Sequence, residues 1–275
     1  MTSRVEPAAR PLILCHFTAI ELTPPAFVDL ANRAGFTAVS LMLQFPASYG
    51  PGFPVLGATP MRRDTKLRLD DTGLILFDAA TCRLEPHTTA EEFRPMIESA
   101  AYLGARSINV NGSDPDEDRL TDRFAALCEL AAEYGLAVGV EFMMSTRVRT
   151  LGEALRLIER SAAINASITV DALHLTRSGG SAEDVADLGA AQVSYVQLCD
   201  GPAEVPAEGY AHEGATQRLL PGEGVLPLQP LVDAVGPDVP LGIEAPSARR
   251  YARGISDDEY SARAMRALQL LLRCN

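Results

Sequence analysis

The chain has 275 residues, 47% of them hydrophobic, and a formal net charge of −12 at pH 7. This length suits two average domains or one α/β barrel, and the apolar content is sufficient for a large core. The acidic balance, without a basic face, argues against nucleic acid as a partner. Because no apolar stretch reaches about 18 uncharged residues, we expect no membrane-spanning helix.

The amino terminus, MTSRVEPAARP, has no apolar core after its charges and is unlike a secretory signal. Residues 1–10 are predicted to be a flexible tail and residues 11–275 a single domain. The five cysteines form no CxxC pair and no zinc-finger spacing. We expect them to be small buried side chains in a reducing cytoplasm.

Short apolar runs and amphipathic segments alternate along the chain. Eight runs without polar alternation predict strands, in chain order PLILCHF, AVSLML, GLILFDAATC, SINVN, LAVGVEF, SITVD, VSYVQL and PLGIE. Capped or amphipathic segments predict helices over residues 23–35, 88–104, 114–135, 150–162, 181–190, 225–236 and 256–273. Pro95 is a potential kink in the second of these helices.

Eight β–α alternations at this length predict an α/β fold, a single (β/α)8 TIM barrel. A doubly wound open sheet is the alternative. It would normally carry a glycine-rich phosphate turn after the first strand, and CHFTAIELTPP has none. Two long segments, residues 44–66 and 199–224, are predicted to be irregular. Each leaves the carboxyl end of a strand, so both are expected over the active face.

Oxygen-bearing side chains end four consecutive predicted strands: Glu141, Asp171, Gln197 and Glu244. A single acid after a strand usually caps a helix. Four in the same position favour a site at the carboxyl ends of the barrel strands, where this fold has its active centres.

A divalent metal ion is predicted at this site, because three carboxylates that converge without a cation would be strongly unfavourable. The donor set is all oxygen if the Gln197 amide carbonyl is counted. It favours Mg²⁺ or Mn²⁺, with Co²⁺ or Zn²⁺ as alternatives. Gly139 and Gly242 precede the two glutamates by two residues and are expected to leave room beneath them.

The motifs GVEF, VDALH, YVQLCD, RLLPGEG and IEAPS, between Val138 and Ser247, resemble the xylose-isomerase-like TIM barrel superfamily of sugar-phosphate isomerases and epimerases. Ketose 3-epimerases have a histidine where this chain has Gln197. The resemblance is therefore closer to the hydroxypyruvate isomerase and dehydroshikimate dehydratase branches.

This resemblance implies metal ligands at the four strand-end residues and substrate contacts at His174 and Arg218. It also implies proton abstraction beside a metal-bound carbonyl, with an enediolate stabilised by the metal. Glu141 and Glu244 are the candidates for removing and returning the proton.

Weaker candidates surround this set. His16, Asn109 and Asn111 are expected to line the pocket, with His16 and Asn111 as substrate-binding residues. Arg249 and Arg250 are candidate ligands of a carboxylate or phosphate. Three aromatic residues are candidates for one pocket wall, namely Phe45, Tyr49 and Phe53. His212 is assigned no role.

The leading functional hypothesis is a cytoplasmic, metal-dependent isomerase or epimerase of a small hydroxy-carbonyl compound. A dehydratase is the alternative, because the same enolate with a leaving group β to it eliminates water. A non-catalytic barrel that binds a metabolite is a third hypothesis. A nucleic-acid enzyme of the endonuclease IV type would need three metals and many histidines, and the chain has four histidines. Homo-oligomerisation is left open.

Overall fold

The computed structural model describes residues 10–46 and 49–273. The predicted tail therefore lies outside the described residues except for Arg10, whose Nε donates to the Pro237 carbonyl at 2.8 Å. Within the described ranges, Cys15, Cys82, Cys128 and Cys199 are buried and free, as expected. None of the helices in this part of the chain is long and apolar enough to cross a membrane.

Eight parallel strands close into one barrel in chain order, which confirms the predicted (β/α)8 fold. Closure comes from pairing of β1 with β8, where Ile13 is the register partner of Gly242. The strands are β1 Leu12–Cys15, β2 Ala38–Met42, β3 Ile75–Leu84, β4 Ser107–Gly112, β5 Ala137–Glu141, β6 Ala166–Asp171, β7 Val193–Leu198 and β8 Leu241–Ile243.

Eleven α-helices lie in the described ranges. They are α1 Pro24–Ala34, α2 Pro60–Thr72, α3 Arg94–Leu103, α4 Glu117–Glu133, α5 Leu151–Ser161, α6 Ala172–Arg177, α7 Ala182–Ala186, α8 Tyr210–Thr216, α9 Leu228–Ala234, α10 Ala248–Ala252 and α11 Asp257–Arg273. Short 3-10 turns occupy His16–Ala19, Ala90–Phe93 and Ala190–Gln192.

The helix α2 begins inside the segment predicted to be irregular, so that prediction is wrong from Pro60 onward. Its apolar stripe is too thin to produce a periodic signal, because Thr65 and Leu69 are its only buried residues. The residues that mark the two ends of this helix were nevertheless present in the sequence. Thr59 caps the helix by accepting from the Arg62 amide, and Gly73 ends it with a φ of 69°.

Pro95 does not kink a continuous helix. The 3-10 turn Ala90–Phe93 leads into α3, which starts at Arg94, so that Pro95 lies in the first turn of the α-helix. Backbone N–H groups in the first turn of a helix have no intrahelical acceptor, so a proline here breaks no hydrogen bond. The second irregular segment is also partly helical, because it contains α8.

The barrel interior is small and partly polar, whereas the main apolar core lies between the strands and the helices. Asp78 is buried in this interior, where it accepts hydrogen bonds from Ser40 Oγ at 3.1 Å and Ser107 Oγ at 3.0 Å. Burial raises the pKa of Asp78 to about 7, against the effect of these hydrogen bonds. The carboxyl group of Asp78 is thus partly protonated near pH 7.

The space beneath the two strand-end glutamates is taken by neighbouring side chains. A Cβ added at Gly139 would lie 2.5 Å from Thr169 Oγ1, and one at Gly242 would lie 3.1 Å from Cys15 Sγ. Both glycines therefore allow close approach of side chains from adjacent strands.

We predict that Gly139→Ala lowers the free energy of unfolding by about 1–3 kcal/mol, because its methyl group would displace buried Thr169. Urea denaturation measures this change. Gly152→Ala is the matched control, since no atom lies within 4 Å of its added Cβ and it lies in helix α5. It should leave stability unchanged or raise it. Equal stability of both variants would contradict the close contact at Gly139.

Candidate metal centre

Three carboxylates and one amide lie at the carboxyl ends of the last four strands. Glu141 and Asp171 end β5 and β6, Gln197 is the penultimate residue of β7, and Glu244 directly follows β8. Asp171 and Gln197 are register partners, and Gln197 pairs with Gly242 of β8. Parallel strands place these ends on the same rim, so the side chains face one mouth.

Arg218 connects two of these carboxylates. Its Nη1 lies 2.6 Å from Asp171 Oδ2 and 3.1 Å from Glu244 Oε2, and it donates to the Glu244 carbonyl at 3.1 Å. Its Nε donates to the Gly214 carbonyl at 2.8 Å. The guanidinium is buried and is held by the protein from two sides.

The acidic groups differ in their affinity for protons. Burial, followed by the charge of Asp171, raises the pKa of Glu141 to about 7. Burial also raises the pKa of Glu244 well above its ordinary value, although Arg218 opposes this. For Asp171 burial acts in the same direction, but the contact with Arg218 holds its pKa below the ordinary value.

His174 lies beside Asp171, Glu141 and Arg218. Its backbone N–H donates to Asp171 Oδ1 at 3.0 Å, so Asp171 also caps helix α6. The ring Nε2 lies 3.9 Å from Glu141 Oε1 and 3.4 Å from Arg218 Nη2. Burial lowers the pKa of His174 to about 4, so the ring is neutral at pH 7.

With Glu141, Asp171 and Glu244 ionised and only Arg218 to balance them, the centre carries a charge of −2. A divalent cation would neutralise it, and protons on the two glutamates are the alternative. Glu141, Asp171 and His174 each offer one ligand atom, and these atoms lie within 4.8 Å of one another. This grouping includes His174, which the sequence assigned to the substrate. The set of four strand-end ligands stays a prediction.

Gln197 fits the role of an oxygen donor. Its Nε2 donates to the Tyr195 hydroxyl at 2.9 Å and to Glu244 Oε1 at 3.1 Å. Its Oε1 is buried and has no hydrogen-bond partner among the described residues. An unpartnered buried oxygen is costly unless something else satisfies it. Tyr195, whose hydroxyl lies 3.4 Å from Asp78 Oδ2, links this amide to the barrel floor.

The two asparagines of β4 position Glu141. Asn109 Nδ2 donates to Glu141 Oε2 at 2.9 Å, and Asn111 Nδ2 donates to the Glu141 carbonyl at 3.2 Å. Thr81 Oγ1 lies 3.0 Å and 3.1 Å from their two Oδ1 atoms. Asn111, which was predicted to bind substrate, is thus occupied by protein contacts in this structure.

His16 makes backbone contacts with both ring nitrogens. Nδ1 accepts from the Met42 amide at 3.3 Å, so Nε2 carries the hydrogen that it donates to the Leu22 carbonyl at 2.8 Å. The ring also packs against Phe27 and Phe53. This geometry favours a structural role for His16 over the predicted substrate contact.

Arg250, a predicted anion ligand, is buried between the rings of Tyr251 and Tyr260. Its Nη2 forms an ion pair with Asp257 at 2.7 Å. Arg249 and His212 are exposed. None of these three residues contacts the strand-end carboxylates within hydrogen-bond distance in the described part of the chain.

The sequence interpretation missed residues that hold the loop after β7. Asp200 is buried and accepts from the amides of Gly201, Gly222 and Leu226 at 2.9, 3.0 and 2.9 Å. A Cβ at Gly224 would lie 2.4 Å from Asp200 Oδ1. The CDG and PGEG sequences are therefore held together through Asp200. An acid next to a glycine, together with a glycine-rich turn later in the same loop, was the signal in the sequence that could have predicted this contact.

A closed barrel with an acidic, oxygen-rich centre at its carboxyl rim is the class of protein that these features define. The xylose isomerase-like TIM barrel family matches residues 28–271. The chain belongs to this family, which confirms the resemblance seen in its motifs. No curated protein matches the chain at a significant level.

Solved structures share the fold at low sequence identity. The IolI protein with a bound zinc atom has a TM-score of 0.77 at 14% identity, with 95% of this chain and 97% of that chain covered. The probable 3-DHS dehydratase AsbF from Bacillus anthracis gives 0.73 at 14%, covering 94% and 98%. A D-allulose 3-epimerase from Methylomonas sp. gives 0.70 at 15%, covering 96% and 99%.

The chain also covers 43% of a longer xylose isomerase-like TIM barrel/4-hydroxyphenylpyruvate dioxygenase fusion protein. There the TM-score is 0.78 at 20% identity, with 96% of this chain covered. At these identities the structural matches establish the fold alone.

We predict that binding of Mn²⁺ releases about one proton or more below pH 7, and that affinity falls as pH is lowered from about 8 to about 6. The reason is that Glu141, with a pKa of about 7, and Glu244, with a raised pKa, hold protons that compete with the cation. Calorimetry in two buffers with different ionisation heats counts the protons.

Glu141→Gln should reduce both the proton release and the pH dependence of affinity. Glu129→Gln, on the exposed face of α4, is the control and should change neither. An affinity for Mn²⁺ that is constant over this pH range would contradict the assignment of these carboxylates as ligands.

Proposed function

We propose that this protein is a divalent-metal-dependent isomerase or epimerase that acts on a small hydroxy-carbonyl compound. The observation that carries the proposal is the charge of the centre, in which three carboxylates face the single guanidinium of Arg218. Such an arrangement is unfavourable for folding, and a function that needs a cation and a proton acceptor accounts for it.

Glu141, Asp171, Gln197 and Glu244 would hold the cation through oxygen atoms. The buried, unpartnered Oε1 of Gln197 supports this set. A divalent ion bound there would supply a Lewis acid for the substrate carbonyl. Oxygen ligands favour Mg²⁺ or Mn²⁺, although the zinc in IolI and the nearby His174 keep Zn²⁺ and Co²⁺ as candidates.

Glu141 is suited to take a proton from the carbon next to the carbonyl. The raised pKa of about 7 makes it a stronger base than an exposed carboxylate. Asn109 fixes its Oε2, which leaves the carboxylate in one orientation. Glu244 approaches from β8, on a different side of the centre from β5. The pair could therefore remove a proton from one face of the substrate and return one to the other.

Arg218 and His174 would orient the substrate. Arg218 Nη1 and Nε are occupied by protein acceptors, whereas the one contact of Nη2 within the described residues is with His174 Nε2 at 3.4 Å. The neutral imidazole and this nitrogen together form a polar edge beside Glu141. They would hydrogen-bond a hydroxyl or carbonyl oxygen of the substrate.

A dehydratase is the second candidate, supported by Gln197 in place of histidine and by the similarity in fold to AsbF. The first step would be the same. Loss of a β-hydroxyl as water would then replace return of the proton to carbon.

The test is a panel of ketoses, keto acids and cyclic hydroxyketones incubated with Mg²⁺ or Mn²⁺ in D₂O and followed by proton NMR. An isomerase or epimerase should incorporate deuterium next to the carbonyl and retain the hydroxyl. A dehydratase should yield a conjugated product that absorbs in the ultraviolet. A protein that binds a member of the panel without exchange or product would contradict both reactions.

We predict that Glu141→Gln and Glu244→Gln each lower kcat by at least about 10²-fold, because each loses a proton acceptor but keeps an oxygen donor. Metal affinity, measured separately by calorimetry, should change much less. Glu129→Gln again serves as the control and should keep wild-type turnover. Glutamine variants that bind metal and turn over at the wild-type rate would rule out these two residues as the bases.

A further inference from the structure

Arg83 lies at the end of β3 on the side of the strand that faces the barrel mouth. Two residues earlier, Thr81 points to this side, because its Oγ1 contacts Asn109 and Asn111. Side chains alternate along a strand, so Arg83 shares the direction of Thr81 and lies one layer closer to the mouth. Its register partner on β4 is Asn111, which binds the Glu141 carbonyl.

The guanidinium of Arg83 has no protein partner in the described ranges. No hydrogen bond or ion pair connects it to residues 10–46 or 49–273, and its Nε is buried without an acceptor. The other arginine of the centre, Arg218, by contrast contacts two carboxylates through Nη1 and a backbone carbonyl through Nε. A buried N–H without a partner costs about 1–3 kcal/mol. An anionic ligand would recover this free energy.

Arg83 lines a cavity of about 340 Å³ together with Gln44, Phe45, Thr81, Glu85 and Phe93. Thr81 connects this cavity to the layer that holds Glu141. Tyr49 supplies a second connection. Burial raises the pKa of its hydroxyl, while the charges of Arg83 and Arg218 both oppose the rise. The two guanidiniums thus act on the same hydroxyl at the mouth.

We propose that Arg83 binds a carboxylate of the substrate, so that the hydroxy-carbonyl compound is a hydroxy-keto acid. This inference rests on the proposed function, which places the carbonyl at the metal centre. Arg83 then supplies a second point of attachment on the β3 side of the mouth. Two fixed points orient the carbon that faces Glu141.

A carboxylate fits better than a phosphoryl group. Arg83 is the one cationic side chain among the cavity's lining residues, which also include Glu85 and Glu92. These acids would repel a dianion, whereas one guanidinium matches the charge and planar shape of one carboxylate. Phe45 and Phe93 provide apolar contact for the carbon skeleton of such a substrate.

The test compares binding of matched probes in the presence of Mg²⁺ by calorimetry and thermal shift. Hydroxypyruvate and 3-dehydroshikimate are the acids. Dihydroxyacetone and 3-dehydroshikimate methyl ester are their neutral counterparts, and dihydroxyacetone phosphate is the phosphoryl probe. We expect at least one acid to bind at least about tenfold more tightly than its neutral counterpart.

Arg83→Gln should weaken binding of that acid by about 10- to 100-fold and change binding of the neutral probe by less than about threefold. Arg83→Lys, which keeps the charge, should recover part of the loss. Arg106→Gln is the matched control, because it removes the same charge at the opposite end of the barrel, before β4. It should bind every probe like the wild type.

Several results would overturn the proposal: equal loss for acids and neutral probes in Arg83→Gln, no acid bound by the wild type, or Arg83-dependent preference for the phosphoryl probe. These readouts do not require turnover. Arg83-dependent binding of an acid without deuterium exchange would contradict the proposed reaction and support the carboxylate site. Deuterium exchange on neutral substrates alone would support the proposed reaction and contradict the carboxylate site.

Discussion

The rest of the site depends on the contact of one buried guanidinium with two carboxylates, one buried and one partly buried, beside a third carboxylate. Arg218 lies between Asp171 and Glu244, and Glu141 completes the group without a cation of its own. Removing three charges from water costs several kcal/mol per ion, and one arginine cannot compensate all of it. The centre is therefore set to take up either protons or a divalent cation, and both are useful to an enzyme that moves protons.

This contact requires the segment that carries Arg218 to be fixed relative to the barrel. Asp200 gathers three backbone amides at the start and end of the loop after β7. A buried, bidentate pair between Arg177 and Glu213, with distances of 2.6 and 2.9 Å, attaches α8 to α6. The loop is thus built as part of the site's wall, and the position of Arg218 follows from these two attachments.

The fold leaves the reaction type open for a chemical reason. Isomerisation, epimerisation and dehydration of a hydroxy-carbonyl compound all begin with removal of a proton next to the carbonyl. The same pair of carboxylates can serve each of them, and structural neighbours of this chain include an epimerase and a probable dehydratase. Under the proposed function the substrate would decide the outcome, and cavity-lining residues such as Arg83 and Phe45 would select it.

The sequence by itself determined the barrel and the acidic rim. Eight apolar runs of strand length alternate with helical segments, which is typical of a parallel barrel, and parallel strands align their carboxyl ends. The oxygen-bearing side chains that end the last four runs are therefore expected on one rim. Helix α2 was not predicted, because its outward face is charged and only Thr65 and Leu69 are buried.

Which polar groups are satisfied was decided by the tertiary structure alone. Among the described residues, both ring nitrogens of His16 contact backbone atoms, Arg218 Nη1 contacts two carboxylates and Arg250 Nη2 pairs with Asp257. The buried polar atoms there that have no hydrogen-bond partner include Arg83 Nε, Gln197 Oε1, and Nε and Nη1 of Arg250. Local sequence cannot reveal which polar atoms find a partner, because each partner lies on a different element or loop. A shift of a few tenths of an ångström between donor and acceptor also decides whether a hydrogen bond forms.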